Sequence, residues 1–190
     1  MSEVIPFVRV PAFRPPEAEV ATPWQSDPST PLARHFRRVH ETRMAGLPFL
    51  NDALDVTVAA CKCVDGDWLA ALVTPWSIQL VLLPGGGTLW RDTAAGSRRT
   101  LTLPVGDLVF IGEAAEHVSD LVPAFLYCPL IAPPDGIAGT AEACAIAREA
   151  LATVLQPLPA TPDATDPGDP APYPRTPPSP SRRAFLRGRS

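Results

Sequence analysis

Proline limits this chain more than any other residue. Each proline fixes φ near −65° and removes a backbone N–H, so a dense run of them joins neither a helix interior nor the middle of a sheet. Of the 25 prolines in 190 residues, six precede residue 30 and ten fall between 157 and 180. A packed core is therefore expected only between these runs. The map predicts an irregular N-terminal arm at 1–29, one folded domain at 30–156, a Pro-rich acidic linker at 157–180 and a basic tail at 181–190. The linker, PLPATPDATDPGDPAPYPRTPPSP, has too little apolar content to build a core and is expected to be extended; both Pro-rich arms are expected to be disordered.

Within 30–156 the apolar periodicity changes twice. Thr30 as N-cap and Pro31 at the first helical position, followed by Leu32, Phe36 and Val39, predict a helix that Gly46 ends. From Leu54 the period is two: Leu54, Val56 and Val58 are expected on one face, Thr57, Ala59, Cys61 and Cys63 on the other. After a turn at Asp65-Gly66-Asp67, the segments 68–74, 77–84, the two halves of 99–112 and 123–131 read as further strands. Ala143, Ile146, Ala147, Ala150, Leu151, Val154 and Leu155 form a helical stripe that Pro157 stops. Successive strands with no helix between them favour antiparallel pairing. The expected fold is α+β: a single domain with an antiparallel sheet of five or six strands, flanked by an N-terminal and a C-terminal helix.

Candidate chemistry is sparse. The N-terminus has no apolar run that resembles a signal peptide, and the most apolar stretch, 68–84, is broken by Thr74, Pro75, Ser77 and Gln79. A cytoplasmic protein with no integral membrane segment is expected. The net charge is −4, but the last ten residues carry four arginines and no acid, so residues 1–180 carry −8. An acidic body with a basic tail argues against nucleic acid as a partner. Cys61, Cys63, Cys128 and Cys144 are expected as reduced thiols. The C-x-C pair hints at metal or redox chemistry, yet a tetrahedral site needs two further ligands, which Cys128 and Cys144 would supply only if the fold converged there. His35 and His40 lie five apart on the first helix, about 140° around its axis, and make poor joint ligands. His117, near Glu113 and Glu116, reads as a solvated loop residue. PGGGT (84–88) lacks the lysine of a phosphate loop and reads as a turn. No catalytic residue, metal or cofactor is expected, and the chain does not read as an enzyme.

The aromatic residues say more. Trp68, Trp76, Trp90, Phe110, Phe125 and Tyr127 lie on or beside strands, as core or as the wall of a groove for an apolar peptide. Trp76, Ile78, Leu80, Leu82 and Leu83 are the candidate groove residues. At the other end, Ser181, Arg182, Arg183, Phe185 and Leu186 match the S-R-R-x-F-L core of a twin-arginine export signal. Such a signal belongs at an N-terminus with an apolar stretch behind it.

The blocks RMAGLPFLNDALDV (43–56), ALVTPWSIQLVLLPG (71–85), LPVGDLVF (103–110) and LYCPLIAPPD (126–135) resemble, in that order, those of the HybE family of nickel-iron hydrogenase assembly chaperones. Met44, Gly46, Leu47, Pro48 and Asn51, then Thr74, Pro75 and Trp76, then Leu82, Leu83 and Pro84 are the most specific pieces. The resemblance covers about 30–157. The last block departs from the family pattern, with Pro129 in place of a serine and Ala132-Pro133-Pro134 where Ser-Pro-Met is usual.

The resemblance implies a non-catalytic accessory chaperone. It would bind the hydrogenase small-subunit precursor and its twin-arginine signal peptide, delaying export until assembly is complete. The large subunit, a rubredoxin-like partner and other maturation proteins are the further partners implied. On that reading the tail is a mimic of the client, held on a linker that reaches at most about 75 Å. A generic basic segment, or a contact read by the translocase, is the competing account of the tail. Two other functions compete: a scaffold for folded subunits without signal recognition, and a cysteine-based metal or redox maturation factor.

Overall fold

The helix that opens the domain is amphipathic. Leu32, Ala33 and Phe36 are buried, and Arg34, Arg37 and Arg38 are exposed. In the computed structural model, which describes residues 18, 20–114, 122 and 124–157, this helix spans Ser29–Val39 (α1). It starts at Ser29, with Pro28 rather than Thr30 as cap. It does not stop in register either. His40–Met44 continue as one π-helical turn, closed by Ala45 N–H donating to the His40 carbonyl at 2.9 Å. The extra residue in the turn changes which way Arg43 and Met44 point. The tail residues Ser181, Arg182, Arg183, Phe185 and Leu186, the linker beyond residue 157, His117 and most of the N-terminal arm lie outside the described residues.

Six strands follow: Thr57–Val64 (β1), Asp67–Thr74 (β2), Ser77–Leu83 (β3), Arg98–Leu103 (β4), Gly106–Ala114 (β5) and Ala124–Ile131 (β6), and then the helix Thr140–Val154 (α2). They form one antiparallel sheet in the order β1-β2-β3-β6-β5-β4. Each half, β1-β2-β3 and β4-β5-β6, is a meander of consecutive strands. The halves meet only where β3 pairs with β6. The domain is thus α+β, a six-stranded antiparallel open sheet with two helices.

Both faces of the first half are covered. On one face Ala143, Ala147, Leu151 and Val154 of α2 pack against Leu69, Ala71, Val73, Ile78, Leu80 and Leu82, a core that runs on to Leu101, Phe110 and Leu126. On the other, Leu32 and Phe36 of α1 pack on Ala70, Leu72, Val81, Leu83 and Phe125. This is why 68–84, apart from its turn and Gln79, is the most apolar stretch of the chain. The first strand departs from strict alternation. A bulge between Val58 and Ala60 turns the rest of β1 by one residue, so Cys61 packs with Val58 in the α1-side core and Ala59 in the α2-side core. The expected opposition of Val58 and Cys61 is corrected accordingly.

The GGG loop is a close packing contact rather than a bare turn. A Cβ on Gly85 or Gly87 would collide with the carbonyls of Gly66 and Asp65. The buried Asp67 carboxylate accepts the N–H groups of Gly85, Gly87 and Trp90 at 2.8, 3.1 and 2.8 Å. A buried charge is tolerated when several donors replace its water.

Candidate functional site

Beyond α1, the α1-side face of β6-β5-β4 has no covering element among the described residues. Register places Tyr127 beside Ile111, Ile111 beside Arg98, and Val109 beside Thr100. Val109 is 50% exposed. Where this open half-sheet meets the end of α1 there is a hollow of roughly 450 Å³. Its walls are Phe36, Val39 and Met44 from the helix and its π turn, Trp76 from the β2–β3 turn, Gln79 from β3, and Phe125, Tyr127 and Pro129 from β6. Arg43 borders it on the helix side and Glu113 on the β5 side.

The aromatic walls form a connected cluster. Phe36 lies 6.4 Å from Trp76, stacked, and 5.4 Å from Phe125; Phe125 lies 6.3 Å from Tyr127. His35 packs edge-on to Phe36 and Phe125 at 5.3 and 5.8 Å, and His40 sits 5.9 Å from Trp76. The two histidines therefore buttress aromatic rings. Burial, with the Glu113 charge adding to it, raises the Tyr127 hydroxyl above its ordinary pKa, so that O–H stays a donor. Aromatic faces with a carboxylate at one side suit an apolar side chain or the flat guanidinium of an arginine.

Of the expected groove residues, only Trp76 lines this hollow. Ile78, Leu80 and Leu82 point the other way and are fully buried beneath α2; Leu83 is fully buried in the α1-side core. They hold the sheet together and are not available to a ligand. Phe36, Met44 and Glu113 are what the sequence reading missed, while Phe125 and Tyr127 are named among the aromatics that could wall a groove but not among its chosen residues. Their signal was faint: Phe125 and Tyr127 alternate on one strand face, but the pairing of β3 with β6 that brings them to Trp76 is not local in sequence.

Three of the four blocks that carry the family resemblance, 43–56, 71–85 and 126–135, meet beside the hollow. The Asn51 side-chain NH₂ donates to the carbonyls of Pro134 and Ile137 at 3.0 and 2.9 Å, its Oδ1 accepts Ala53 N–H, and its backbone N–H donates to the Pro75 carbonyl at 2.8 Å. One residue thus ties the loop after α1 to the Thr74-Pro75-Trp76 turn and to the 132–137 loop. Thr74 Oγ1 closes that turn by accepting Ser77 N–H at 3.0 Å. Leu47, Phe49 and Leu130 remain 37, 46 and 38% exposed.

The cysteines do not converge. Cys61 lies in the α1-side core, Cys128 and Cys144 in the α2-side core, and Cys63 is exposed. No three His, Cys, Asp or Glu among the described residues are grouped to hold a metal ion, and no described helix is long and apolar enough to cross a membrane. Burial, then the Asp27 charge, pushes the Cys61 thiol from 9.0 up to about 12, which keeps it protonated.

This chain is similar in sequence and fold to proteins described as hydrogenase proteins. The family described as "[NiFe]-hydrogenase assembly, chaperone, HybE" matches residues 27–188, past residue 157 and through the SRRAFL segment. The hydrogenase expression/formation protein HupJ of Bradyrhizobium diazoefficiens is 30% identical over 159 residues, covering 83% of this chain and 85% of its own length. HoxT of Azotobacter vinelandii, likewise a hydrogenase expression/formation protein, is 34% identical over 125 residues, 65% of this chain and 77% of its own. The hydrogenase-2 operon protein HybE of Escherichia coli K12 is 29% identical over 58% of this chain, and the match spans 65% of that relative's length. The solution structure of Escherichia coli HybE matches with a TM-score of 0.58 at 25% identity, over 90% of this chain and 94% of that one. On sequence and fold together, this chain belongs to the HybE family of [NiFe]-hydrogenase assembly chaperones.

Proposed function

We propose that this chain is a non-catalytic, cytoplasmic accessory chaperone of [NiFe]-hydrogenase maturation. It binds the small-subunit precursor through its twin-arginine signal peptide and delays export until assembly is complete. The observation that carries the reading is the aromatic hollow bordered by Glu113: a twin-arginine signal is a short cationic segment followed by an apolar one, and the hollow offers a carboxylate beside four aromatic rings. The open face of Val109, Ile111 and Tyr127 lies next to it and gives the apolar segment a surface to follow. The electrostatic pattern is polarised rather than uniformly acidic, because Arg34, Arg37, Arg38 and Arg43 gather on α1 and its π turn against Glu41 alone. A cationic client is therefore directed to the β5 side.

Calorimetric titration of the full-length chain with a synthetic small-subunit signal peptide tests this. Binding that is weakened by Trp76→Ala, and by replacing the peptide's paired arginines with glutamine, is the expected result. Equal binding of precursor and mature small subunit, with no binding of the isolated peptide, would favour the scaffold reading, for which exposed Leu47, Phe49 and Leu130 offer a contact surface. The large subunit and a rubredoxin-like protein are further partners on this reading. One Rhodobacter capsulatus relative is described as a probable rubredoxin.

A further inference from the structure

We propose that the aromatic hollow reads the backbone of an extended peptide, with the side-chain amide of Gln79 pairing to the N–H and the C=O of one of its residues, an inference that rests on the hollow being the client site.

Gln79 is 5% exposed and lines the hollow. Its neighbours in the sheet are Leu72 on β2 and Pro129 on β6, and neither side chain holds a donor or an acceptor. No described residue hydrogen-bonds to the Gln79 amide, which has two donors and two acceptor sites. The amide is not sealed in either. Among the described residues the unpartnered side-chain atom shut off from the surface is Arg99 Nη1, so the Gln79 amide opens into the hollow that it lines. A buried polar group without partners is costly to keep, and one that faces a cavity is completed by what enters the cavity.

The chemistry of the amide selects the ligand. It is neutral and carries a donor beside an acceptor, whereas a carboxylate offers acceptors alone and a guanidinium donors alone. A residue of an extended chain presents its N–H and its C=O to the same side, as the bonded pairs of an antiparallel ladder do, and so satisfies both ends of the amide. A second group keeps the same step. Gln79 pairs with Pro129, which makes Tyr127 its diagonal neighbour across the β3–β6 seam, and such neighbours lie about 7–8 Å apart. Two residues of an extended chain advance about 6.8 Å. The Tyr127 hydroxyl, kept protonated by burial and the Glu113 charge, then donates to the carbonyl two residues further on. Apolar side chains of the same segment lie against Phe36, Trp76 and Phe125. Main-chain bonds supply affinity and the rings supply the preference for an apolar side chain.

Two titrations of the full chain test this separately from the client reading. The first uses N-acetyl-phenylalanine methylamide, which has one residue's N–H and C=O and an apolar ring but no arginine, and its ester analogue with oxygen in place of the phenylalanine N–H. The amide is expected to move the side-chain NH₂ resonances of Gln79, and the ester to bind about tenfold more weakly, a gap that Gln79→Met removes. No movement of those resonances up to the solubility of the probe, or equal binding of amide and ester, overturns the proposal. Gln79→Met fills a similar volume without the polar atoms, so the urea midpoint should hold or rise; a fall would mean that the amide already has its partners, and equally overturns it. In the second titration the signal peptide is added to the chain with and without Gln79→Met. About tenfold weaker binding to the substituted chain is expected, and equal affinity overturns the role of Gln79 at the client site. If the signal peptide binds neither chain while amide and ester still differ, the client reading fails and the reading of a peptide backbone stands.

Discussion

At the scale of single residues, the hollow and its support respond differently to substitution. Trp76 is half-buried, stacks on Phe36 and faces the hollow. Trp76→Ala should weaken signal-peptide binding about tenfold or more, as removal of an aromatic anchor does. Asn51 is a support: Asn51→Ala leaves the carbonyls of Pro134 and Ile137 without their donor. That should cost about 2 kcal/mol in urea unfolding and loosen the 132–137 loop, while the backbone N–H bond to the Pro75 carbonyl keeps the Trp76 turn in place. The role of Asn51 was legible as a family-block residue, but its partners were not, because they lie more than 80 residues away. Asp67 was read as part of a turn. Only the approach of the GGG loop explains why a carboxylate sits there fully buried.

At the scale of elements, the six strands and two helices were legible because turn residues separate clear runs of period two and period 3.6. What alternation did not reveal was which face a ligand sees. Ser77–Leu83 is buried on both sides; the polar residues that mark the hollow's face, Ser77 and Gln79, are only two in an otherwise apolar strand, and Ile78, Leu80 and Leu82 on the opposite face looked as suitable for a groove as Trp76. The bulge in β1 and the π turn after α1 each insert one residue that a repeating pattern does not anticipate. The π turn lends itself to a direct test. Deleting Thr42 would restore α geometry and swing Arg43 and Met44 by about 100°, out of the hollow. Peptide affinity should fall while the unfolding midpoint changes little, since none of His40–Met44 is buried. By contrast Leu151→Ala on α2, 1% exposed at the helix–sheet interface, should cost about 3 kcal/mol and leave peptide affinity unchanged wherever the chain is folded.

At the scale of the molecule, the buried thiols set an alkaline limit. Burial raises Cys61 to about 12 and raises Cys128, Cys144 and Tyr127 above their ordinary values. These groups hold their protons more tightly folded than unfolded, so the contribution of Cys61 to stability is complete below the unfolded thiol value of 9.0 and is lost as pH rises through about 12, and the others act in the same direction. Stability measured by urea unfolding should decline over that window, and Cys61→Ala should flatten the decline. The order of strands has a kinetic consequence of its own. Within each meander the strands are joined by short connections, but β3 and β6 are joined through residues 84–123, so their pairing carries the largest loop-closure entropy in the sheet. The hollow straddles that seam, with Gln79 on one side and Phe125 and Tyr127 on the other. An occupant therefore acts as a rivet. A loaded chaperone should unfold and be proteolysed more slowly than an empty one, in proportion to occupancy, and delivery of the client would leave behind the shorter-lived form.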